Sequence, residues 1–229
     1  MKARIAVFVS GRGSNLQALH AYLERVGGAE VVLIVSDRAS SGALPWARER
    51  GIQTATLESG ADDSHAILTL LDSCRVEFVV LAGYLRLVPP EVVRAYRRRM
   101  VNVHPALLPA FGGPGMYGAR VHRAVLESGA RVSGPTVHFV DEIYDHGPII
   151  AQWPVPVFDE DTADTLAARV LRVEHALYPR VVDAVAAEEI ALDDDGLVHG
   201  AFFVGPAGDA FTLRDEDTLV RDVDAALLR

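Results

Sequence analysis

The chain has 229 residues, of which half are hydrophobic and 23% charged, so one large or two small domains with a real core are expected. Its formal net charge of −9 argues against a nucleic-acid surface as the main partner, although clustered backbone N–H groups can still hold an anion in an acidic protein. The single cysteine, Cys74, excludes an intrachain disulfide and a cysteine-rich metal site, and no apolar run reaches the roughly 20 residues of a membrane span.

Met1–Arg4 runs directly into a strand pattern without signal-peptide character, so a cytoplasmic protein is expected. Arg4–Ser10 is a near-continuous apolar run, as in a buried parallel strand. Ser10–Asn15 is a glycine turn, and a helix follows with Leu16, Leu19, Leu23 and Val26 on one face, Tyr22 beside them, stopping at Gly27–Gly28. A strand, a glycine turn and a helix start form an anion site or a plain capped turn. The turn is neither a dinucleotide fingerprint, since Leu16 stands where the third glycine belongs, nor a Walker loop. Asp37, at the end of a strand over Val31–Ser36, keeps a nicotinamide-dependent oxidoreductase as a weak rival.

The alternation continues with a helix over Ala43–Arg50 closed by Gly51, a strand over Thr54–Leu57, and a helix from Asp63 or Ser64 through Ser73. A strand over Phe78–Ala82 ends at Gly83, and Pro89–Pro90–Glu91 opens a helix whose last turn carries Arg97–Arg99, read as solvated cations. Strand–helix alternation implies a parallel sheet covered on both faces, with ligands at the C-terminal ends of its strands. Gly11–Asn15, Asp37, Gly83–Val88 and Asn102–His104 all collect on that edge.

Met100–His104 is a strand that ends in a polar pair and turns on Pro105 and Pro109. Asn102 and His104 are two apart and share one face, so an amide and an imidazole there can hold a carbonyl oxygen and handle a proton, or simply cap a strand end. Pro109–Tyr117 is a loop by composition, and Gly118–Leu126 a helix. Val132–Val140 alternates as a strand with Thr136 and His138 on one face, and the turn at Asp141–Pro148 leads into Ile149–Val157, an antiparallel hairpin. That turn offers a carboxylate, Asp145, 41 residues beyond His104. Asp159–Asp161 precedes a long helix from Thr162 to about Ala187, whose apolar stripe is interrupted by Glu174, His175 and Tyr178 and which Pro179 is expected to kink. Ile190–Leu192, a turn at Asp193–Gly196, a strand over Leu197–Val204 and a helix from about Asp215 to Leu228 complete the chain. The fold class is α/β: a doubly wound, mostly parallel sheet with an antiparallel hairpin in the second half.

Six segments in this order (residues 10–18, 81–86, 102–105, 137–140, 145–150 and 174–179) resemble the phosphoribosylglycinamide formyltransferase family, the folate-dependent formyltransferases of purine synthesis. The resemblance covers roughly residues 3–192. It implies a transferase that moves the formyl group of 10-formyltetrahydrofolate to the amine of glycinamide ribonucleotide. Asn102 and protonated His104 would hold the tetrahedral oxyanion, and Asp145 would pair with the imidazolium, with a nearby water carrying the proton. Gly13, Ser14 and Asn15 would hold the phosphate through backbone N–H groups, and Glu174 the ribose hydroxyls. Leu85, Arg86, Leu87 and Val88 would line the pterin slot with Asn102 and with Asp141, Glu142, Ile143, Tyr144 and Asp145. His65 stands where familiar members carry a basic folate contact.

The resemblance divides the chain into a phosphate-binding half (1–100), a catalytic and folate-binding half of the same domain (101–192) and a C-terminal extension (193–229). Gly112–Arg120 is several residues longer than in short members and is expected to form a lid or a pocket wall. His138 reads as structural or as a support to the site; His122, His146 and His199 read as structural or solvated, and Arg12 as reaching phosphate or solvent. No metal-ligand spacing appears, and neither a nucleic-acid nor a membrane partner is expected; the chain would act as a monomer or homodimer. The rivals are another 10-formyltetrahydrofolate-using enzyme, either a hydrolase or a nucleotide-sugar formyltransferase, and a non-catalytic nucleotide- or folate-binding regulator.

Overall fold

The structure is a computed structural model, and it describes residues 2–57, 63–200 and 221. Seven strands form one sheet: β1 (Ala3–Val9), β2 (Ala29–Ser36), β3 (Gln53–Thr56), β4 (Phe78–Leu81), β5 (Met100–His104), β7 (Thr136–Phe139) and β8 (Ile149–Gln152), in the order β3-β2-β1-β4-β5-β7-β8. The first five run parallel; β7 is antiparallel to both β5 and β8. β5 pairs directly with β4, so residues before and after position 100 share one sheet.

Strand alternation divides the core in two. Ile5, Val7 and Val9 face the helices α1 (Ser14–Val26), α2 (Ala43–Arg48), α5 (Ala119–Glu127) and α6 (Ala163–Ala186). Ala6 and Phe8 face α3 (Ser64–Ser73) and α4 (Pro90–Ala95). Central strands buried on both faces explain the unbroken apolar runs in the sequence. Thr162 caps α6 reciprocally with Thr165, and Tyr178, fully buried within it, donates its hydroxyl hydrogen between the carbonyls of Leu81 and Val101, at 2.9 and 3.1 Å. That bond ties α6 to the two strands whose ends carry the site. Among the described residues no helix is long and apolar enough to cross a membrane.

Several sequence expectations change. The strand expected over Val132–Val140 is broken at Gly134–Pro135 into β6 (Val132–Ser133) and β7, and Ile149–Val157 is likewise split into β8 and β9 (Val155–Pro156). β6 and β9 form their own small antiparallel pair. Pro135 and Pro154 lack the N–H that a continuing ladder needs. α4 ends at Ala95, so Arg97–Arg99 lie beyond it, in a turn where Arg98 has φ +66°; Arg99 donates to the Ala95 carbonyl and lies over the Tyr96 ring. α2 ends at Arg48 rather than Arg50, and Val26 is exposed at the end of α1. α6 continues through Pro179 as one helix. In the tail, β10 (Ala191–Leu192) and β11 (Val198–His199) make an antiparallel hairpin. Residues 201–204 of the strand expected over Leu197–Val204, and all but Arg221 of the helix expected over Asp215–Leu228, lie outside the described residues.

Candidate active site

Three strand ends meet at the C-terminal edge of the sheet. After β1 the chain turns through Gly13, whose φ of +77° makes it the left-handed cap of α1. A Cβ there would lie 2.8 Å from the Ala43 Cβ, so glycine is needed both for the turn and for the close approach. Ser14 opens α1, and the loop after β4 is tied to this turn because the Leu85 N–H donates to Ser10 Oγ at 2.8 Å. A glycine turn before a helix start leaves backbone N–H groups free for an anion.

β5 carries Asn102 and His104, and β7 lies beside it with His138 opposite Asn102 and Thr136 opposite His104. Thr136 locks the turn after His104: its hydroxyl donates to the Ala106 carbonyl at 2.6 Å and accepts from the Leu108 N–H at 3.0 Å. Asp145 reaches in from the turn after β7. Its backbone is held at φ +53°, a left-handed conformation that few non-glycine residues adopt. One oxygen, Oδ2, lies 3.4 Å from His104 Nδ1 and accepts from the Gly113 N–H at 2.9 Å. The other, Oδ1, lies 3.5 Å from Asn102 Nδ2. Burial opposes ionisation of Asp145 most strongly; the hydrogen bond to His104 and its charge, the Gly113 N–H and His138 outweigh it, and the pKa lies below the ordinary carboxylate value. His104 Nε2 lies 2.8 Å from the Phe111 carbonyl. Both ring nitrogens therefore face acceptors, which a doubly protonated ring satisfies and a neutral ring does not.

The Gly112–Arg120 segment forms a wall. Residues 113–119 line a cleft of about 620 Å³ together with Asn102, His104, Asp145, Asn15, Glu174, Leu85 and Tyr144. Asn15 Nδ2 donates to Glu174 Oε2 at 2.6 Å, joining α1 to α6, and Glu174 is only 6% exposed. Burial drives the Glu174 pKa up, against the opposing Asn15 hydrogen bond and the charge of His104. Glu174 therefore does not lie on a solvated face of α6. Asn15 Oδ1 and His122 Nδ1 are buried without hydrogen-bond partners, and both residues line the cleft. Two orphaned polar atoms in one cleft mark a place where a polar ligand completes the hydrogen bonding.

Other expected site residues lie outside the lining of this cleft. Arg86 pairs with Asp63 at 3.2 Å, Val88 is buried in the core on the α3–α4 face, and Leu87 is exposed. Asp141 accepts from the Ile143 N–H and sits 2.7 Å from His146 Nδ1; Glu142 lies 3.5 Å from Arg94; Ile143 is 60% exposed. His65 is exposed on the first turn of α3. A larger hollow of about 1110 Å³ lies at the opposite edge, where β1 and β4 begin with Ala3 and Phe78, away from Asn102 and His104.

The sequence reading missed His122 and Asp164. His122, buried on α5, has a pKa lowered to about 4 by burial and by the charge of His104. Asp164, Ala167, Leu171 and Glu174 line the cleft from one stripe of α6. Their spacing of three, four and three residues is a single helical face, a signal that was present in the sequence once Glu174 was singled out.

Residues 3–182 match the family model described as formyl transferase. Phosphoribosylglycinamide formyltransferase, chloroplastic, of Vigna unguiculata is 46% identical over 202 residues, covering 86% of this chain; the chain spans 65% of that relative's length. Phosphoribosylglycinamide formyltransferase of Escherichia coli (strain K12) is 40% identical over 185 residues, covering 78% of this chain and 84% of that protein. The crystal structure of phosphoribosylglycinamide formyltransferase from Anaplasma phagocytophilum superposes with a TM-score of 0.80 at 34% identity, covering 92% of this chain and 98% of that one. The sequence motifs, the sheet order and these likenesses agree, and the chain belongs to the formyl transferase family, among the phosphoribosylglycinamide formyltransferases.

Proposed function

We propose that this chain transfers the formyl group of 10-formyltetrahydrofolate to the amine of glycinamide ribonucleotide, with Asn102, His104 and Asp145 as its catalytic residues. The meeting of these three side chains at one strand end carries the reading, with Asp145 3.4 Å from His104 and 3.5 Å from Asn102. The amine attacks the formyl carbon, the new C–N bond forms, and the carbonyl oxygen takes the electron pair. Asn102 donates an amide hydrogen to that oxygen, and the His104 imidazolium offsets its charge. On collapse, the bond from the formyl carbon to the folate nitrogen breaks. The proton lost by the amine is taken up by the leaving nitrogen through a water beside Asp145.

The Gly13–Asn15 turn holds the phosphate and Glu174 the ribose, so residues 1–100 supply most of the ribonucleotide site and 101–192 the chemistry and the folate side. The two orphaned atoms, on Asn15 and His122, support a polar ligand there. The pterin lies against Leu85, Tyr144 and the 113–119 wall; His65, Arg86, Leu87, Val88 and Asp141–Ile143 form the outer folate surface. The chain is proposed to act as a monomer or a homodimer. A cytoplasmic setting is part of the proposal; the Vigna unguiculata relative is chloroplastic by name. A hydrolase would have no use for an Asn15–Glu174 pair across the cleft from the acid–base residues. Transfer of a carbon-13 formyl label from the folate to the ribonucleotide amine, followed by NMR, tests the proposal; label recovered only as formate would overturn it.

A further inference from the structure

His138 is buried on β7, directly across from Asn102, and is absent from the cleft lining. Its Nδ1 lies 2.7 Å from the Phe139 carbonyl. A carbonyl only accepts, so Nδ1 carries the hydrogen. Burial holds the His138 pKa below its ordinary value, reinforced by the charge of His104 and opposed by the Phe139 carbonyl, Asp145 and Asp141, so the ring is neutral. In a neutral ring with hydrogen on Nδ1, Nε2 presents a lone pair. The Asn102 amide nitrogen, 3.0 Å away, supplies the donor.

This contact decides the orientation of an amide whose two ends are nearly alike in shape. With its nitrogen on His138, Asn102 has one hydrogen anchored and a second directed at Asp145 Oδ1, 3.5 Å away. That second bond is long and is readily given up to a stronger acceptor. In the flipped amide, an oxygen would face both the His138 lone pair and the Asp145 carboxylate, and no hydrogen would be available for an oxyanion.

We propose that His138 is a positioning residue: its Nδ1–H tautomer holds the nitrogen end of the Asn102 amide toward the reacting group, so that Asn102 donates to the formyl oxygen as charge develops. The inference rests on the formyl-transfer reading for what Asn102 contacts, but the tautomer itself does not.

Two substitutions separate the atoms involved. His138→Asn keeps a donor for the Phe139 carbonyl and loses the acceptor for Asn102; His138→Gln places an amide oxygen where Nε2 stood. We expect His138→Asn to lower kcat by about 10- to 100-fold, with both KM values within about threefold of wild type, and His138→Gln to recover about tenfold or more of that loss. An unchanged kcat in His138→Asn, or equal losses in both variants, would overturn the proposal. Should neither variant fold, nitrogen-15 NMR of the wild-type histidines decides. A His138 ring protonated on Nδ1, bare at Nε2 and not titrating between roughly pH 8 and pH 5 supports it; an Nε2–H tautomer, or titration near the usual histidine value, overturns it. Wild-type protein that transfers no formyl group would count against the function instead and leave the tautomer measurement valid.

Discussion

At the scale of single residues, the strongest constraint is that one carboxylate serves three donors. Asp145 accepts from the Gly113 N–H at 2.9 Å and lies within 3.5 Å of both His104 and Asn102. Asp145→Asn keeps the shape and is tolerated at φ +53°, since asparagine adopts the left-handed region more readily than most residues. It removes the charge that balances the imidazolium and turns one of the two acceptor oxygens into a donor. We expect kcat to fall by about 100- to 1000-fold in Asp145→Asn, Asn102→Ala and His104→Ala, measured at saturating substrates. Turnover within a few fold of wild type in any of them would remove that residue from the mechanism. Glu174 behaves differently, because burial drives its pKa up and leaving a carboxylate there costs stability. Glu174→Gln preserves an acceptor for Asn15 and is expected to raise Tm by about 2–4 °C, corresponding to about 1 kcal/mol. The same change should raise KM for glycinamide ribonucleotide by about 10- to 100-fold, as the loss of a charged hydrogen-bond acceptor implies. A higher Tm with an unaltered KM would place Glu174 outside the ribose site.

At the scale of elements, the parts set by local sequence pattern were legible and the parts set by tertiary contact were not. The parallel strands read as apolar runs because both of their faces are buried, and α1 read from its glycine stop, Gly27, which has φ +80°. Asn102 and His104 could be paired in advance because a strand places i and i+2 together. Asp145 could be suspected from its turn, but no periodicity reports that the turn folds back onto β5. The place of His122 was hidden for the same reason: on α5 it reads as one polar residue, and only the fold brings it buried to the cleft that His104 also lines. The 112–120 segment also gained a role from contact rather than composition. Beyond forming a wall, it supplies the Gly113 N–H to Asp145, and Phe111 immediately before it presents its carbonyl to His104. Deleting Gly113–Met116 is therefore expected to lower kcat by about tenfold or more, as loss of a charge-assisted hydrogen bond implies. A change in KM alone would reduce the segment to a wall. Gly13→Ala tests the glycine turn that leads to Asn15 at the cleft. The φ of +77° and the 2.8 Å approach to Ala43 displace the turn, so KM for the ribonucleotide should rise while kcat at saturation is retained.

At the scale of the whole molecule, the buried histidines make stability depend on pH with one sign and the buried Glu174, whose pKa burial raises, with the other. His122, whose pKa falls from 6.5 to about 4, is neutral when folded and takes up a proton when unfolded. Between those two values the unfolded chain binds more protons, so stability rises with pH there and is lost on acidification. His138 and His175, also lowered by burial, act in the same direction, and these three outnumber Glu174, which burial raises and which opposes them. Asp145 adds a later loss below the ordinary carboxylate value, as pH falls through its depressed folded value. Tm should therefore decline as pH falls from about 6.5 to about 4, and His122→Asn should flatten that decline by about one proton. An unchanged slope would show that His122 does not titrate on unfolding. In the proposed function, the sheet, the two-sided core and the converging loops all serve one reaction between two small molecules. The measurement that tests this most directly follows deformylation of 10-formyltetrahydrofolate spectrophotometrically, with and without glycinamide ribonucleotide. Deformylation that requires the ribonucleotide is the expected result. Deformylation at the same rate without it would contradict formyl transfer and point to a hydrolase, and folate binding with no deformylation in either case would contradict it in favour of a binding protein.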